Sequence, residues 1–169
     1  MKPLDGFDRK ILEIVQADNK TTTDVIADRV GLSAAAVQRR LKGLRRSGVI
    51  WADVALVAPR ALDRPMTFIV EVALERERLD LLDAFKRAVR AMPEVQQCYY
   101  VTGDADFVLV VTARDMTDYE AFTRRVFFDN PNIRRFHTNV VMEPVKVGLA
   151  VPVDGSPEAA QAGGAGTGE

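Results

Sequence analysis

Cysteine and histidine each occur once in this 169-residue chain, as Cys98 and His137. A lone cysteine excludes an intrachain disulfide and any cysteine-cluster zinc site, and it fits a reducing compartment. A metal centre or a Cys–His nucleophile would rest on one imidazole and a distant thiol, so both residues read instead as members of apolar strands. No apolar run reaches the ~18 residues of a membrane span, and the start, MKPLDGFDRK, lacks the apolar core of a signal peptide; a soluble, cytoplasmic protein is expected. The glycine patterns of phosphate-binding and dinucleotide loops are missing, as is any internal repeat. Asp104 and Asp106 flank an alanine beside Gly103, which reads as a turn, because nothing nearby completes an acid–base pair or a Mg²⁺ site. These absences leave no set of groups for catalysis, so no enzyme, metal or cofactor is expected.

What the chain does have is positive charge concentrated in one place. The net charge is only −1, yet residues 33–50 hold five Lys or Arg and no acid. Residues 1–60 carry 11 Lys or Arg against 7 Asp or Glu, and residues 61–169 carry 12 against 17, giving a basic front and an acidic back. A phosphate backbone meets the local charge, not the total.

The basic stretch has the punctuation of two short helices. Thr22 or Thr23 caps the first, which carries Val25, Ile26 and Val30 and ends at Gly31. Ser33 caps the second, where Val37, Leu41 and Leu44 recur every three or four residues while Gln38, Arg39, Lys42, Arg45 and Arg46 occupy mostly other faces; Gly48 stops it. An earlier helix, capped by Asp5, turns Ile11, Leu12 and Val15 inward, and Val49 to Val57 reads as an extended wing or exit strand. A winged helix-turn-helix is therefore expected within residues 1–57, with its basic second helix entering the DNA major groove. Ser33, Ala35, Ala36, Gln38 and Arg39 are the candidates for base edges, Gln suiting adenine and Arg guanine. Arg40, Lys42, Arg45 and Arg46 are the candidates for backbone contact, with Arg40, beside the inward Leu41, equally suited to an internal pair. Trp51, just beyond, reads as a core or interdomain anchor.

Pro59 and Pro65 bracket a hinge over residues 58–66. Beyond it the periodicity alternates: a strand from Thr67 to Leu74, a helix marked by Leu79, Leu82, Phe85 and Val89, a strand from Val95 to Val101, a turn at Gly103–Asp106 and a strand from Phe107 to Thr112. A helix capped by Asp115, with Met116, Tyr119, Phe122 and Val126 inward, and a last strand over Phe136–Met142 complete βαββαβ. The fold class is α+β, with a ferredoxin-like domain over residues 67–147 after the helix-turn-helix. Two helices cover one side of a four-stranded sheet, so the other side calls for a second sheet, most simply from a homodimer. A dimer presents two recognition helices, so an inverted-repeat operator in double-stranded DNA is expected. Residues 152–169, rich in Gly and Ala, read as a disordered tail.

Four segments in this order, LDGFDRKIL, VGLSAAAVQRRLKGLRRSGVI, CYYVTGDADFVLVV and HTNVVMEPVK, resemble the Lrp/AsnC family, the leucine-responsive or feast/famine transcription regulators, from about Leu4 to Lys146. The resemblance implies dimers that assemble further into tetramers or octamers, and an amino-acid effector bound at a subunit junction. Tyr100, Thr102, Gly103, Asp104 and Asp106 place hydroxyls, backbone and carboxylates around one tight connection, where glycine admits a ligand and an acid meets an ammonium group. Gly103, Asp104 and Asp106 match the loop lining the family's effector cleft, and Thr138 matches a position in its last strand. Ala105 stands where many members have an aromatic, and Phe136 where Thr or Ser is common. The alternative is a small-molecule-binding or assembly protein whose helix-turn-helix is only a packing unit; salt-dependent DNA binding separates the two.

Overall fold

The computed structural model describes residues 3–153, which fall into two compact units: residues 3–55 together with 147–153, and Leu56–Lys146. The expected tail lies outside the described residues, apart from Pro152 and Val153. Among the described residues no helix is long and apolar enough to cross a membrane.

In the first unit, α1 (Gly6–Ala17), α2 (Thr23–Val30) and α3 (Ala34–Arg46) each begin at a side-chain cap. Asp5 accepts from the Asp8 amide at 2.8 Å, Thr22 from Val25 at 3.4 Å and Ser33 from Ala36 at 3.3 Å, so amides without an intrahelical partner are satisfied locally. Gly31 closes α2 at φ 75°, a left-handed geometry that only glycine adopts without cost. Ile11 and Val15 of α1, Ile26 and Val30 of α2, and Val37, Leu41 and Leu44 of α3 form one buried cluster, which fixes the outward side of α3. The C-terminal segment joins this unit through the Gln16 amide, which donates to the Val151 carbonyl at 3.1 Å and accepts from its amide at 2.8 Å.

The wing expected over Val49–Val57 does not form within the chain. The Ile50 amide donates to the Leu44 carbonyl at 3.1 Å, and residues 51–58 have no regular secondary structure. Their β-branched composition suits a strand, but the single chain offers no partner for a ladder. Trp51, expected as an anchor, is 81% exposed.

The second unit opens with a 3₁₀ turn, Pro59–Leu62, whose N1 proline lacks the amide that would go unpaired there. Then follow β1 (Met66–Leu74), α4 (Leu79–Arg90), β2 (Val95–Tyr100), β3 (Phe107–Ala113), α5 (Met116–Thr123) and β4 (Ile133–Val140). The strands pair antiparallel in the order β2-β3-β1-β4, the ferredoxin-like βαββαβ arrangement. Phe68, Val70, Val72, Phe107, Leu109 and Val111 meet Leu82, Phe85 and Val89 of α4 and Tyr119 and Phe122 of α5, with the Tyr119 ring stacked on Phe68 at 3.8 Å. A π-helical turn, Arg124–Phe128, lengthens α5 and buries Val126 and Phe127 side by side. β4 starts earlier than the Phe136 expected, because Ile133 pairs with Leu74 across a register shift at Ala73/Leu74.

Strand parity sends the intervening residues to the uncovered side of the sheet. There Ile69, Val108 and Val110 sit half-buried at the centre, bordered by Glu71, Gln97, Tyr99, His137 and Asn139.

Candidate functional site

Helix α3 presents Ala35, Gln38, Arg39, Lys42 and Arg46, all exposed, on one outward face, with each in reach of another three or four positions away. Ser33 is exposed at its N-cap and Ala36 half-buried beside it. Arg39, Lys42 and Arg46 form no ion pair among the described residues, so this row is positive and unneutralised.

The other two cations of α3 are held within the unit. Arg45 Nε donates to Asp53 Oδ2 at 2.7 Å, and the guanidinium pulls the Asp53 carboxyl below its usual range. Arg40 Nη1 donates to Asp5 Oδ2 at 2.8 Å and to Asp8 Oδ1 at 2.7 Å, with the guanidinium carbon 5.5 Å from the Phe7 ring centroid. Arg40, expected at the DNA backbone, is thus directed to α1. The sequence signal was its place beside the inward Leu41.

The β2–β3 connection divides the expected effector residues. Gly103 takes φ 120° at the tip, and exposed Asp104 offers its carbonyl to Arg135 Nη2 at 3.3 Å. Asp106 closes the connection onto β1: Oδ2 accepts from the Leu74 amide at 2.6 Å, and its own amide donates to the Val72 carbonyl at 2.9 Å. Thr102 is exposed in the turn. Tyr100 lies against Phe107 at 5.1 Å, with the Lys86 ammonium 4.8 Å over its ring. Thr138 faces the helices and shares a 2.6 Å hydrogen bond with the Tyr119 hydroxyl, whose own pKa burial raises.

An open cleft of about 340 Å³ adjoins the tip, lined by Glu71, Asp104, Ala105, Arg135 and His137 among others. Glu71 and His137 are direct cross-strand partners, as are Ala73 and Arg135. Small Ala105 leaves the tip side of the cleft unwalled, while Phe136 is drawn into an aromatic group with Phe127 and Phe128 at 4.7 and 5.4 Å. Glu71, Arg135 and His137, which line this cleft, were not among the expected site residues; the available signal was polar side chains at the outward parity of otherwise apolar strands. Among the described residues no His, Cys, Asp or Glu cluster suits a metal ion.

Residues 67–151 match the model of the Lrp/AsnC ligand binding domain, and residues 4–50 that of a winged helix-turn-helix DNA-binding domain. An uncharacterised HTH-type transcriptional regulator of Sinorhizobium fredii is 55% identical over 151 residues, 89% of each chain. The crystal structure of an AsnC family transcriptional regulator from Agrobacterium tumefaciens aligns with a TM-score of 0.83 at 32% identity, covering 89% of this chain and 98% of that one. A Neisseria meningitidis transcriptional regulator solved as an L-Met complex aligns with a TM-score of 0.84 at 27% identity, covering 90% and 98%. The basic helix-turn-helix and the ferredoxin-like sheet are thus parts of a DNA-binding regulator rather than an enzyme, and the chain belongs to the Lrp/AsnC family of transcriptional regulators.

Proposed function

We propose that the protein is a homodimeric, sequence-specific transcriptional regulator that inserts α3 into the major groove and is modulated by an amino acid bound at the cleft beside Asp104. The outward row Ala35, Gln38, Arg39, Lys42 and Arg46 carries this reading, because it joins base-reading side chains to unpaired cations on one rigid helix. Gln38 and Arg39, near the amino-terminal end with Ser33, Ala35 and Ala36, read bases. Lys42 and Arg46 hold phosphate, joined by Arg45 when it leaves Asp53.

The effector reading is supported by chemistry and by likeness. Glu71 and Asp104 supply negative charge and Arg135 supplies positive charge around one cleft, which suits an ammonium and a carboxylate on the same small molecule. The structurally similar Neisseria meningitidis regulator was solved with L-Met. The uncovered sheet face supports pairing with a second copy, which closes the cleft at a subunit junction.

Competition binding with an operator selected from random DNA tests the DNA reading. Gln38→Ala and Arg39→Ala are each expected to lower discrimination by about 1–3 kcal/mol, the worth of one good side-chain pairing with a base edge. Calorimetric titration with each of the twenty amino acids tests the effector reading, with Arg135→Met and Glu71→Gln expected to weaken any hit. Full operator preference in both α3 variants would overturn the base-reading assignment, and binding untouched by both cleft variants would move the effector elsewhere.

A further inference from the structure

Two carboxylates at the start of α1 each have two tasks. Asp5 uses Oδ1 to accept from the Asp8 amide at 2.8 Å, and Oδ2 to accept from Arg40. Asp8 turns Oδ2 towards the Asp5 amide at 3.4 Å, and Oδ1 to Arg40 at 2.7 Å. The reciprocal capping box therefore orients both acids before Arg40 reaches them, so only the Arg40 side chain has rotamer freedom left to lose on pairing. Asp8 is only 14% exposed and Arg40 27%, and the Phe7 ring lies beneath the guanidinium. Arg40 also directly follows Gln38 and Arg39 and precedes the buried Leu41, so it stands at the border between the outward row and the core. The apolar cluster fixes which side of α3 faces outward, and its interdigitated side chains leave only small adjustments of the helix's rotation open. A directional clamp at that border sets the angle at which the outward row faces.

We propose that Arg40 is a positioning residue for DNA recognition: clamped by Asp5 and Asp8, it fixes the rotation of α3 that aims Gln38 and Arg39 at base edges. It is not itself a DNA contact. The inference rests on the reading that α3 docks in the groove. Operator preference depends on alignment within about 0.5 Å of productive geometry, whereas non-specific attraction to phosphate does not.

The test compares the full chain with Arg40→Met and with the double variant Asp5→Ser/Asp8→Ala. Ser retains the N-cap and Met retains the aliphatic stem, and thermal unfolding identifies a temperature at which all three are folded. Binding to a selected operator and to random DNA is measured across a salt series. The expected result is a loss of operator preference of about tenfold in both variants, with the salt dependence on random DNA unchanged in Arg40→Met. The acid variant is the sharper arm, because it makes the unit more positive and frees Arg40. Loss of preference there is a geometric effect, opposite to what added charge does. Tighter binding by the acid variant with preference intact, together with a salt slope reduced by about one in Arg40→Met, would instead make Arg40 a phosphate contact and overturn the proposal. A wild-type protein with no operator preference would overturn the groove-docking reading itself, a result separable from the first because it appears before any substitution.

Discussion

Asp118 carries more local structure than any other single carboxylate in the second unit. It accepts from Arg114 Nη2 at 2.8 Å and from the Arg114 amide at 3.0 Å, with Arg64 a further 3.6 Å away, and the Arg114 side chain first and its amide second hold its pKa at about 2. The folded value lies below the unfolded one, so this stabilisation is complete above the usual carboxylate range and lost as pH falls towards about 2. Urea unfolding should find Asp118→Asn less stable than wild type at neutral pH, with the gap closing between about pH 4 and pH 2; a pH-independent gap would detach the stability from this carboxylate. Thr138 yields a second expectation. Its hydroxyl is the hydrogen-bond partner of Tyr119, which is 5% exposed, so Thr138→Val should cost about 1 kcal/mol in urea unfolding, since the phenol is left unpaired in the core. At this scale legibility follows what a side chain competes for. Gln38 and Arg39 stand outward as their spacing predicts, because surface residues on a helix have no stronger claim on them. Arg40 and Arg45 are also basic, yet acids outside α3 capture them, and Asp106 is taken by the Leu74 amide. Composition records charge but not the partner that folding brings to it.

Among the elements, α3 was the most legible, because Ser33, the apolar spacing 37-41-44 and Gly48 agree on its ends and face. The βαββαβ order was legible for the same reason: each strand or helix had its own period and its own breaker. The wing was not, since β-branched composition states a preference for extension and cannot supply the neighbouring strand. The π-helical turn was not either, because nothing in the local composition of Arg124–Phe128 marks the widened turn that brings Val126 and Phe127 inward together. The segment after α3 also has a consequence for binding. Asp53 holds Arg45 at 2.7 Å, and both groups are more than a third exposed, so a DNA phosphate competes with the carboxylate for the same guanidinium. Asp53→Asn should tighten binding to all DNA sequences alike and steepen the salt dependence by about one unit. Filter binding across a salt series decides it, and an unchanged slope would exclude Arg45 from the phosphate contacts.

The whole molecule combines a basic unit that attracts DNA with a sheet that has one face uncovered. Ile69, Val108 and Val110 at the centre of that face are apolar and only half-buried, while Glu71, His137 and Asn139 at its border would give the proposed second copy a polar, directional rim. In the segment after α3, Trp51, Val54 and Leu56 are 81%, 71% and 84% exposed, and Met142, Val145 and Val147 are exposed as well. An isolated chain thus leaves apolar side chains in water at the sheet centre and along the segment that follows α3, and the proposed association of two copies is an arrangement that would cover them. In the proposed dimer, two α3 helices related by a two-fold axis would read an inverted repeat. Val110→Glu places a charge at the middle of the open face, where a facing copy would have to desolvate it, while the helix-side core of Phe68, Leu109 and Val111 is untouched. Light scattering at micromolar concentration should find wild type dimeric or larger and Val110→Glu monomeric, with unchanged circular dichroism. The same variant should lose most of its affinity for the inverted repeat while keeping the binding to a single half-site that one helix-turn-helix provides. A monomeric wild type would remove the two-fold argument, and a variant that stays dimeric would place the interface on another surface.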